Sequence, residues 1–245
     1  MDTAERSRRF TLIGKGRAGG AIHSALLELG WECVSVFGRG DDVAAAATDV
    51  DVCVIATPDD QIAEVSAQIT PADGVVLHIS GALGLDVLAP HQSAALHPLV
   101  SLADPISGAT QLRSAWFAVA GDNISTVLAE QLSGRHFVIS DDDRALYHAT
   151  AAIASNHLVA LLGQVERLAA SLSIPFEVFL PLIHGSVGNV SNRGAGAALT
   201  GPAARGDVGT IEKHRRALAE NQPDELAAYD ALVDLATRLA TQRSE

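Results

Sequence analysis

A doubly wound, mostly parallel α/β sheet followed by an all-helical C-terminal half is the architecture this 245-residue sequence predicts. Three observations carry it. A glycine-rich turn stands between an apolar strand pattern and an amphipathic helix pattern over residues 10–29. Short apolar runs then alternate with helical patterns to about residue 140. Beyond that point only helical patterns follow.

The first strand, residues 10–13, runs into Gly14-Lys15-Gly16-Arg17-Ala18-Gly19, which has the spacing G-x-G-x-x-G. The helix after it places Ile22, Leu26 and Leu29 on one face and is stopped by Gly30. Further strands are predicted at 33–37, 50–56, 75–79, 94–96, 116–119 and 136–139. Several are apolar throughout, as strands covered on both faces are. One helix follows Thr57-Pro58, with Ile62, Val65 and Ile69 at helical spacing. Another runs from about Ser125 to Leu132, between Asn123 as a cap and Gly134 as a stop. Asp141-Asp142-Asp143 suit a helix start by capping and by charge, and a long helical stretch follows to about Leu172. More helices begin near Pro175, after Asp207 and after Pro223, the last carrying Leu226, Tyr229, Leu232, Leu235 and Leu239. Between the helix that begins near Pro175 and the one after Asp207, residues 194–206 read as a loop rich in Gly, Ala and Pro. The expected division is a dinucleotide-binding domain over 1–140 and a helical domain over 141–245.

The composition, 48% hydrophobic and 19% charged, is that of a globular protein with a real core. A net charge of −12 opposes nucleic acid or an anionic membrane as partner. Cys33 and Cys53 fall in apolar strand patterns and read as small core residues rather than a disulfide, which fits a reducing cytoplasm. No Cys/His spacing of a metal site occurs. The stretch from Met1 to Arg9 is polar and lacks the apolar segment of a signal peptide. No apolar run approaches membrane-spanning length.

The glycine spacing, placed between strand and helix, points to dinucleotide binding. Gly14 would allow the tight turn, Gly16 the approach of a pyrophosphate, and Gly19 the close packing of helix on strand. The helix start would hold the phosphates with its free N–H groups. Where an NAD site places an acid at the end of the second strand, this chain reads Phe37-Gly38-Arg39-Gly40, with Asp41 the first acid. Arg39, helped by Arg17, would pair with a 2′-phosphate, which favours NADP(H) over NAD(H). The bland alternative for Arg39 is an exposed loop residue. Thr57 and Pro58, at the end of the third strand, would pack beside ribose or nicotinamide; they also read as a helix cap with Pro in the first turn.

The next strand ends carry His78-Ile79-Ser80-Gly81 and Leu96-His97-Pro98-Leu99. Hydride transfer to a carbonyl or imine needs a proton or hydrogen-bond donor at the heteroatom, and a histidine with a pKa near neutrality would serve. His97 is the preferred candidate, with Ser80 beside it; His78 also reads as a core histidine satisfied by backbone. A serine hydrolase is disfavoured, since no G-x-S-x-G occurs. In the helical half Ser155-Asn156-His157 interrupts an apolar run, and Asn156 is the candidate there. Thr200 and Arg205, in Leu199-Thr200-Gly201-Pro202-Ala203-Ala204-Arg205-Gly206-Asp207, would bind a substrate carboxylate, though the stretch also reads as a plain loop capped by Asp207.

Together these motifs resemble the two-domain reductases of the 6-phosphogluconate dehydrogenase-like superfamily. That group includes pyrroline-5-carboxylate reductase, ketopantoate reductase, prephenate dehydrogenase and the β-hydroxyacid dehydrogenases. The closer resemblance is to Rossmann-like proteins whose helical C-terminal domain has no assigned function. It rests on Gly14 to Gly19, Ala56 to Asp59, His78 to Gly81, Leu96 to Leu99, Ala154 to His157 and Leu199 to Asp207. It implies a Rossmann-type fold, NADP(H) and a homodimer formed through the helical domain. One departure stands out. The β-hydroxyacid dehydrogenases carry a lysine four residues before a helical asparagine, and if Asn156 is that asparagine the lysine position is Ala152. The chain's two lysines, Lys15 and Lys213, lie elsewhere. The reading is therefore an NADP(H)-dependent oxidoreductase acting on a small carboxylated carbonyl or imine compound. Its alternative is a non-catalytic NADP(H)-binding regulatory protein.

Overall fold

The computed structural model describes residues 8–102 and 104–242. The stretch read as lacking a signal peptide lies, up to residue 7, outside the described residues. Packing divides the chain into two units, Met1–Ser155 and Asn156–Glu245.

In the first unit seven strands form, one in each stretch the sequence marked. They are β1 (Arg9–Ile13), β2 (Glu32–Phe37), β3 (Val52–Ile55), β4 (Val75–His78), β5 (Ser93–Leu99), β6 (Trp116–Gly121) and β7 (His136–Val138). They make one sheet in the order β2-β1-β3-β4-β5-β6-β7. The first five run parallel; β6 is antiparallel to β5, and β7 is parallel to β6. The helices of this unit are α1 (Arg17–Glu28), α2 (Asp59–Gln68), α3 (Pro105–Leu112), α4 (Ile124–Leu132) and α5 (Arg144–Ala152). The doubly wound, mostly parallel expectation is what forms.

Alternation along each strand explains the continuous apolar runs. Phe10, Leu12, Val52, Val54, Leu77 and Leu96 enter one core with Ile22 and Leu26 of α1 and Leu112 of α3. Ile13, Cys53, Ile55 and Val76 enter the other, with Ile62 of α2 and Ile69. Both faces are covered, so every second residue cannot be polar. Cys33 and Cys53 are free thiols, and burial pushes Cys53 up to about 11. The chain leaves β1 for β2 on one side and then crosses to β3 on the other. That reversal opens a crevice at the carboxyl ends of β1 and β3.

The second unit holds α6 (Leu158–Ser171), α7 (Leu180–Arg193), α8 (Ala195–Ala198), α9 (Pro202–Arg205), α10 (Val208–Asn221) and α11 (Leu226–Gln242). Asp207 caps α10 as expected, its carboxylate accepting from the Thr210 N–H at 3.0 Å. Residues 194–206 are not the plain loop expected. They fold into two single turns, α8 and α9, broken at Gly194 (φ +77°) and Gly201 (φ +93°), a backbone region that favours glycine. The polar triplet Ser155-Asn156-His157 falls in a π turn, Ile153–His157, between α5 and α6. The packing division lies in this turn, later than the 140/141 boundary read from the sequence, because Tyr147 of α5 stacks edge-on against Phe137 and His97 of the sheet unit. The helical run Arg144–Ser171 is also long and apolar enough, by length and composition, to cross a membrane. This corrects the expectation that no segment approaches that length: the polar residues scattered along the run, Ser155-Asn156-His157 among them, do not outweigh its apolar average.

Candidate active site

The glycine turn is tight where the sequence requires it and open where a ligand would lie. Gly14 has φ +95°, and a Cβ there would stand 2.8 Å from the Ala56 carbonyl oxygen. A Cβ on Gly19 would stand 2.0 Å from the Gly14 carbonyl oxygen, so no side chain fits. Around Gly16 nothing lies within 4 Å of a built Cβ. Gly16 is also the N-cap of α1, and no side chain caps that helix. Its first N–H groups are thus unclaimed by side chains, next to open space, at the switch point of the sheet.

Arg39 and Arg17 are both exposed, on the β2 loop and the first turn of α1. Asp41 turns back on its own loop and accepts from the Gly38 N–H at 2.7 Å. The nearest acid is therefore spent on backbone. Thr57 is not the helix cap: Pro58 occupies that position and α2 starts at Asp59. The Thr57 hydroxyl is buried without a hydrogen-bond partner, and its backbone nitrogen lies 3.1 Å from a Cβ built on Gly14.

His78 and Ser80 brace the β4 loop. The Ser80 N–H donates to His78 Nδ1 at 3.2 Å, so Nε2 carries the proton and donates to the Gly84 carbonyl at 3.2 Å. Burial lowers the His78 pKa, and the ring is fully enclosed. Ser80 Oγ donates to Asp59 Oδ2 at 2.7 Å and accepts from the Ala82 and Leu83 N–H groups at 3.1 and 3.2 Å. Its donor and both acceptor sites are used. The catalytic role expected of Ser80 therefore has no free hydrogen bond to act through, and Ser80 shapes the loop instead.

His97 sits in β5, on the same face of the sheet as His78. Its Nδ1 lies 2.6 Å from the Tyr147 hydroxyl. Burial, reinforced by His148, pushes the His97 pKa down to about 4. The near-neutral histidine the sequence suggested is thus a neutral imidazole across the physiological range. Burial raises Tyr147 to about 12, so the phenol keeps its proton. With the phenol donating to Nδ1, the imidazole carries its own proton on Nε2 and can donate it. Gly81 makes room for this, since a Cβ there would stand 2.9 Å from His97 Nε2 and from the His148 ring.

Sequence reasoning missed three residues of this cluster: Arg144, Tyr147 and His148. Their i, i+3, i+4 spacing puts them on one face of α5, a polar stripe in an otherwise apolar and alanine-rich helix. That stripe was the available signal. Arg144 is 1% exposed and bonds Asp141 Oδ1 through Nε at 2.7 Å. Asp141 also accepts from the Leu85 N–H at 3.1 Å, and Arg144 holds its carboxyl below the usual range. In the helical unit Asn156 lies in the π turn, Thr200 just before α9 and Arg205 in its last turn, all exposed.

Residues 118–236 match a family model described as a domain of unknown function, DUF2520. No curated protein matches the chain. Among solved structures, BF3122 from Bacteroides fragilis, provisionally assigned as an NADP oxidoreductase, is similar at TM-score 0.79 and 20% identity, over 95% of this chain and 98% of that one. A reductive aminase from Aspergillus terreus, in complex with NADPH and ethyl levulinate, is similar at TM-score 0.69 and 16% identity, over 96% and 98%. A pyrroline carboxylate reductase from Plasmodium falciparum, with NADP bound, is similar at TM-score 0.60 and 13% identity, over 96% and 99%. These likenesses single out no narrower subfamily. What this chain shares with them along nearly its whole length is a fold, a dinucleotide-type sheet followed by helices.

Proposed function

We propose that the protein is an NADP(H)-dependent reductase acting on a small carboxylated carbonyl or imine compound. The observation that carries this reading is the turn from Gly14 to Gly19. It is closed against Ala56, open at Gly16 and followed by a helix with no side-chain cap. Three structures of the same fold are named as NADP oxidoreductase, reductive aminase and pyrroline carboxylate reductase, which supports it. Gly14, Gly16 and Gly19 would hold the pyrophosphate on the N-terminus of α1. Arg39 and Arg17 would pair with the 2′-phosphate, left unopposed because Asp41 is bonded to its own loop. Thr57 and Pro58 would flank the sugar and ring, and the unpartnered Thr57 hydroxyl fits a site that offers it an acceptor.

NADPH, when bound, supplies the hydride. The chain's own part is to polarise the acceptor by a hydrogen bond; the proton that completes an alcohol product would come from solvent, and a protonated imine needs none. His97, kept neutral by burial, donates a hydrogen bond from Nε2 and is backed by the Tyr147 hydroxyl on Nδ1. If Asn156 corresponds to the helical asparagine of the β-hydroxyacid dehydrogenases, their lysine position is Ala152, and His97 with Tyr147 would take over its role. Ser80 positions the loop that faces His97. Asn156 would act with His97 as a catalytic residue that orients the substrate, and Thr200 and Arg205 would bind its acid group.

We further propose a cytoplasmic homodimer formed through the helical unit. Leu182, Val187, Leu232 and Leu235 leave apolar surface exposed there, as a second copy would require. The test is NADPH oxidation with a panel of 2-oxo acids and cyclic imines. Turnover of any of them is expected, and His97→Gln should lower kcat by about a hundredfold. Tight NADPH binding with no turnover across the panel would instead support the regulatory reading, in which the cofactor itself is the signal.

A further inference from the structure

The Arg144 side chain is enclosed, yet only its Nε is used. Nε bonds Asp141, and Nη1 and Nη2 are buried without a hydrogen-bond partner among the described residues. A buried guanidinium is a fixed cation at any physiological pH, and its four outer N–H bonds form a fork. Leaving that fork unmatched away from water is among the costliest arrangements in a folded chain. Its one ionic partner, Asp141, is itself 47% exposed and shares its charge with the Leu85 N–H. A second acid, Asp59, acts on the charge of His97; it is bonded by Ser80 Oγ at 2.7 Å and makes no ion pair with Arg144 among the described residues. Tyr147 and His148 stand one turn on along α5, and His97 lies against both. The loop from Ser80 to Leu85 covers this face: Gly81 meets His97 and His148, and Gly84 meets Asp141 at 2.9 Å from a built Cβ.

We propose that the Nη1/Nη2 fork of Arg144 is a binding site for a carboxylate of the substrate, beside the His97–Tyr147 pair. The inference rests on the reductase reading and adds Arg144 to the acid-binding residues proposed above. A carboxylate matches the fork with two parallel charge-assisted hydrogen bonds, supplying the acceptors that Nη1 and Nη2 lack. Water can accept such bonds but brings no charge. Held there, the acid group of a 2-oxo or 2-imino acid places its carbonyl or imine carbon two bonds away from the anchor at most. Arg144 is close enough to act electrostatically on His97, so the heteroatom of an acid held there would lie on the His97 side of the cluster. Amines and neutral ketones gain nothing from this fork, so the site selects for acids.

The test uses the full chain and an inert probe: oxamate, the amide counterpart of a 2-oxo acid, against its uncharged relative oxamide. Binding is measured by calorimetry with and without saturating NADP+. Oxamate is expected to bind and oxamide not. Arg144→Met should weaken oxamate by at least about tenfold, while Asp141→Asn, which frees Nε and removes the competing acid, should keep or strengthen it. Should Arg144→Met fail to fold, Arg144→Lys keeps the charge without the fork and should still lose about tenfold. Equal binding of oxamate by the wild type and these Arg144 variants would overturn the proposal. So would no binding by the wild type, or equal losses in Asp141→Asn and Arg144→Met. NADPH affinity, measured separately on the same proteins, reports on the cofactor reading alone.

Discussion

Phe10, Leu12, Leu26, Ile55, Leu77 and Phe117 of the sheet unit are fully buried, whereas Leu182, Val187 and Leu235 of the helical unit are 69%, 51% and 53% exposed. Among the described residues the helical unit encloses one apolar side chain, Ala169. Its other buried residues are polar: Gln164 donates to the Glu225 carbonyl at 3.0 Å, and Arg167 grips the Glu225 carboxylate through Nε and Nη2. The two units therefore rest on different physics. The sheet closes its apolar surface within itself, on both faces. The helices are held by a polar clasp and by backbone bonds, and helices of this length are marginal without tertiary packing. Their apolar faces must be covered by something outside the unit. A second copy is the occupant proposed above.

The largest expected effect breaks the sheet side of this contrast. In Gly19→Ala the new Cβ would meet the Gly14 carbonyl oxygen at 2.0 Å, inside the densest part of the unit. Loss of the cooperative thermal transition, or insoluble protein, is the expected outcome; wild-type melting would mean that the turn yields where the core does not.

Next in size is the double substitution Leu232→Asp with Leu235→Asp. Covered by a partner, each leucine is worth about 1.5–3 kcal/mol. Left facing water, each change would stay within about 0.5 kcal/mol. Light scattering and thermal unfolding separate the two. Monomers or aggregates of lowered stability are expected. A soluble variant with the mass and melting point of the wild type would leave the helical faces without a partner.

A third prediction concerns the neutral histidine. His97 titrates at about 4 in the fold against 6.5 when free, so the unfolded chain takes up a proton between those values and the native chain does not. Stability from this source is complete above pH 6.5 and falls as the pH drops to 4, by up to about 3 kcal/mol. The lowered pKa of His78 acts in the same direction. His97→Gln should flatten the acid limb of a stability curve followed by denaturant unfolding; an unchanged limb would mean that the ring is not enclosed.

The smallest effect sharpens the cofactor reading. Arg39→Ala should cost NADPH about 1.5–3 kcal/mol, ten- to a hundredfold in affinity, and leave NADH nearly untouched. Equal losses for both cofactors would remove Arg39 from the 2′-phosphate.

What the sequence made legible follows the same contrast. Strands with apolar residues on both faces announce themselves, and Gly14, Gly16 and Gly19 declare a turn that local chemistry alone determines. The helical spans after Pro175, Asp207 and Pro223 were equally plain, since capping and proline act locally. The site cluster was not. His97 meets Tyr147 across fifty positions of chain, and only the packing of α5 on β5 brings them together. Arg144 reads in sequence as an ordinary helix-start residue, yet tertiary packing buries it. His78 and Ser80 looked like site groups because they stand at strand ends, yet His78 spends its hydrogen bonds on its own loop, and Ser80 on that loop and on Asp59 of α2. Strand ends mark where a site lies, and packing decides which of their side chains are free to act.

The central claim is that NADPH binds the turn from Gly14 to Gly19. Gly16 is the position to probe it, because its Cβ would enter open space and disturb nothing in the fold. Fluorescence titration with NADPH, on wild type and Gly16→Val of matched melting temperature, is the direct measurement. Micromolar or tighter binding by the wild type is expected, weaker for NADH and lost in the variant by about a hundredfold or more. Equal NADPH affinity in the two proteins, or none in the wild type, would contradict the account.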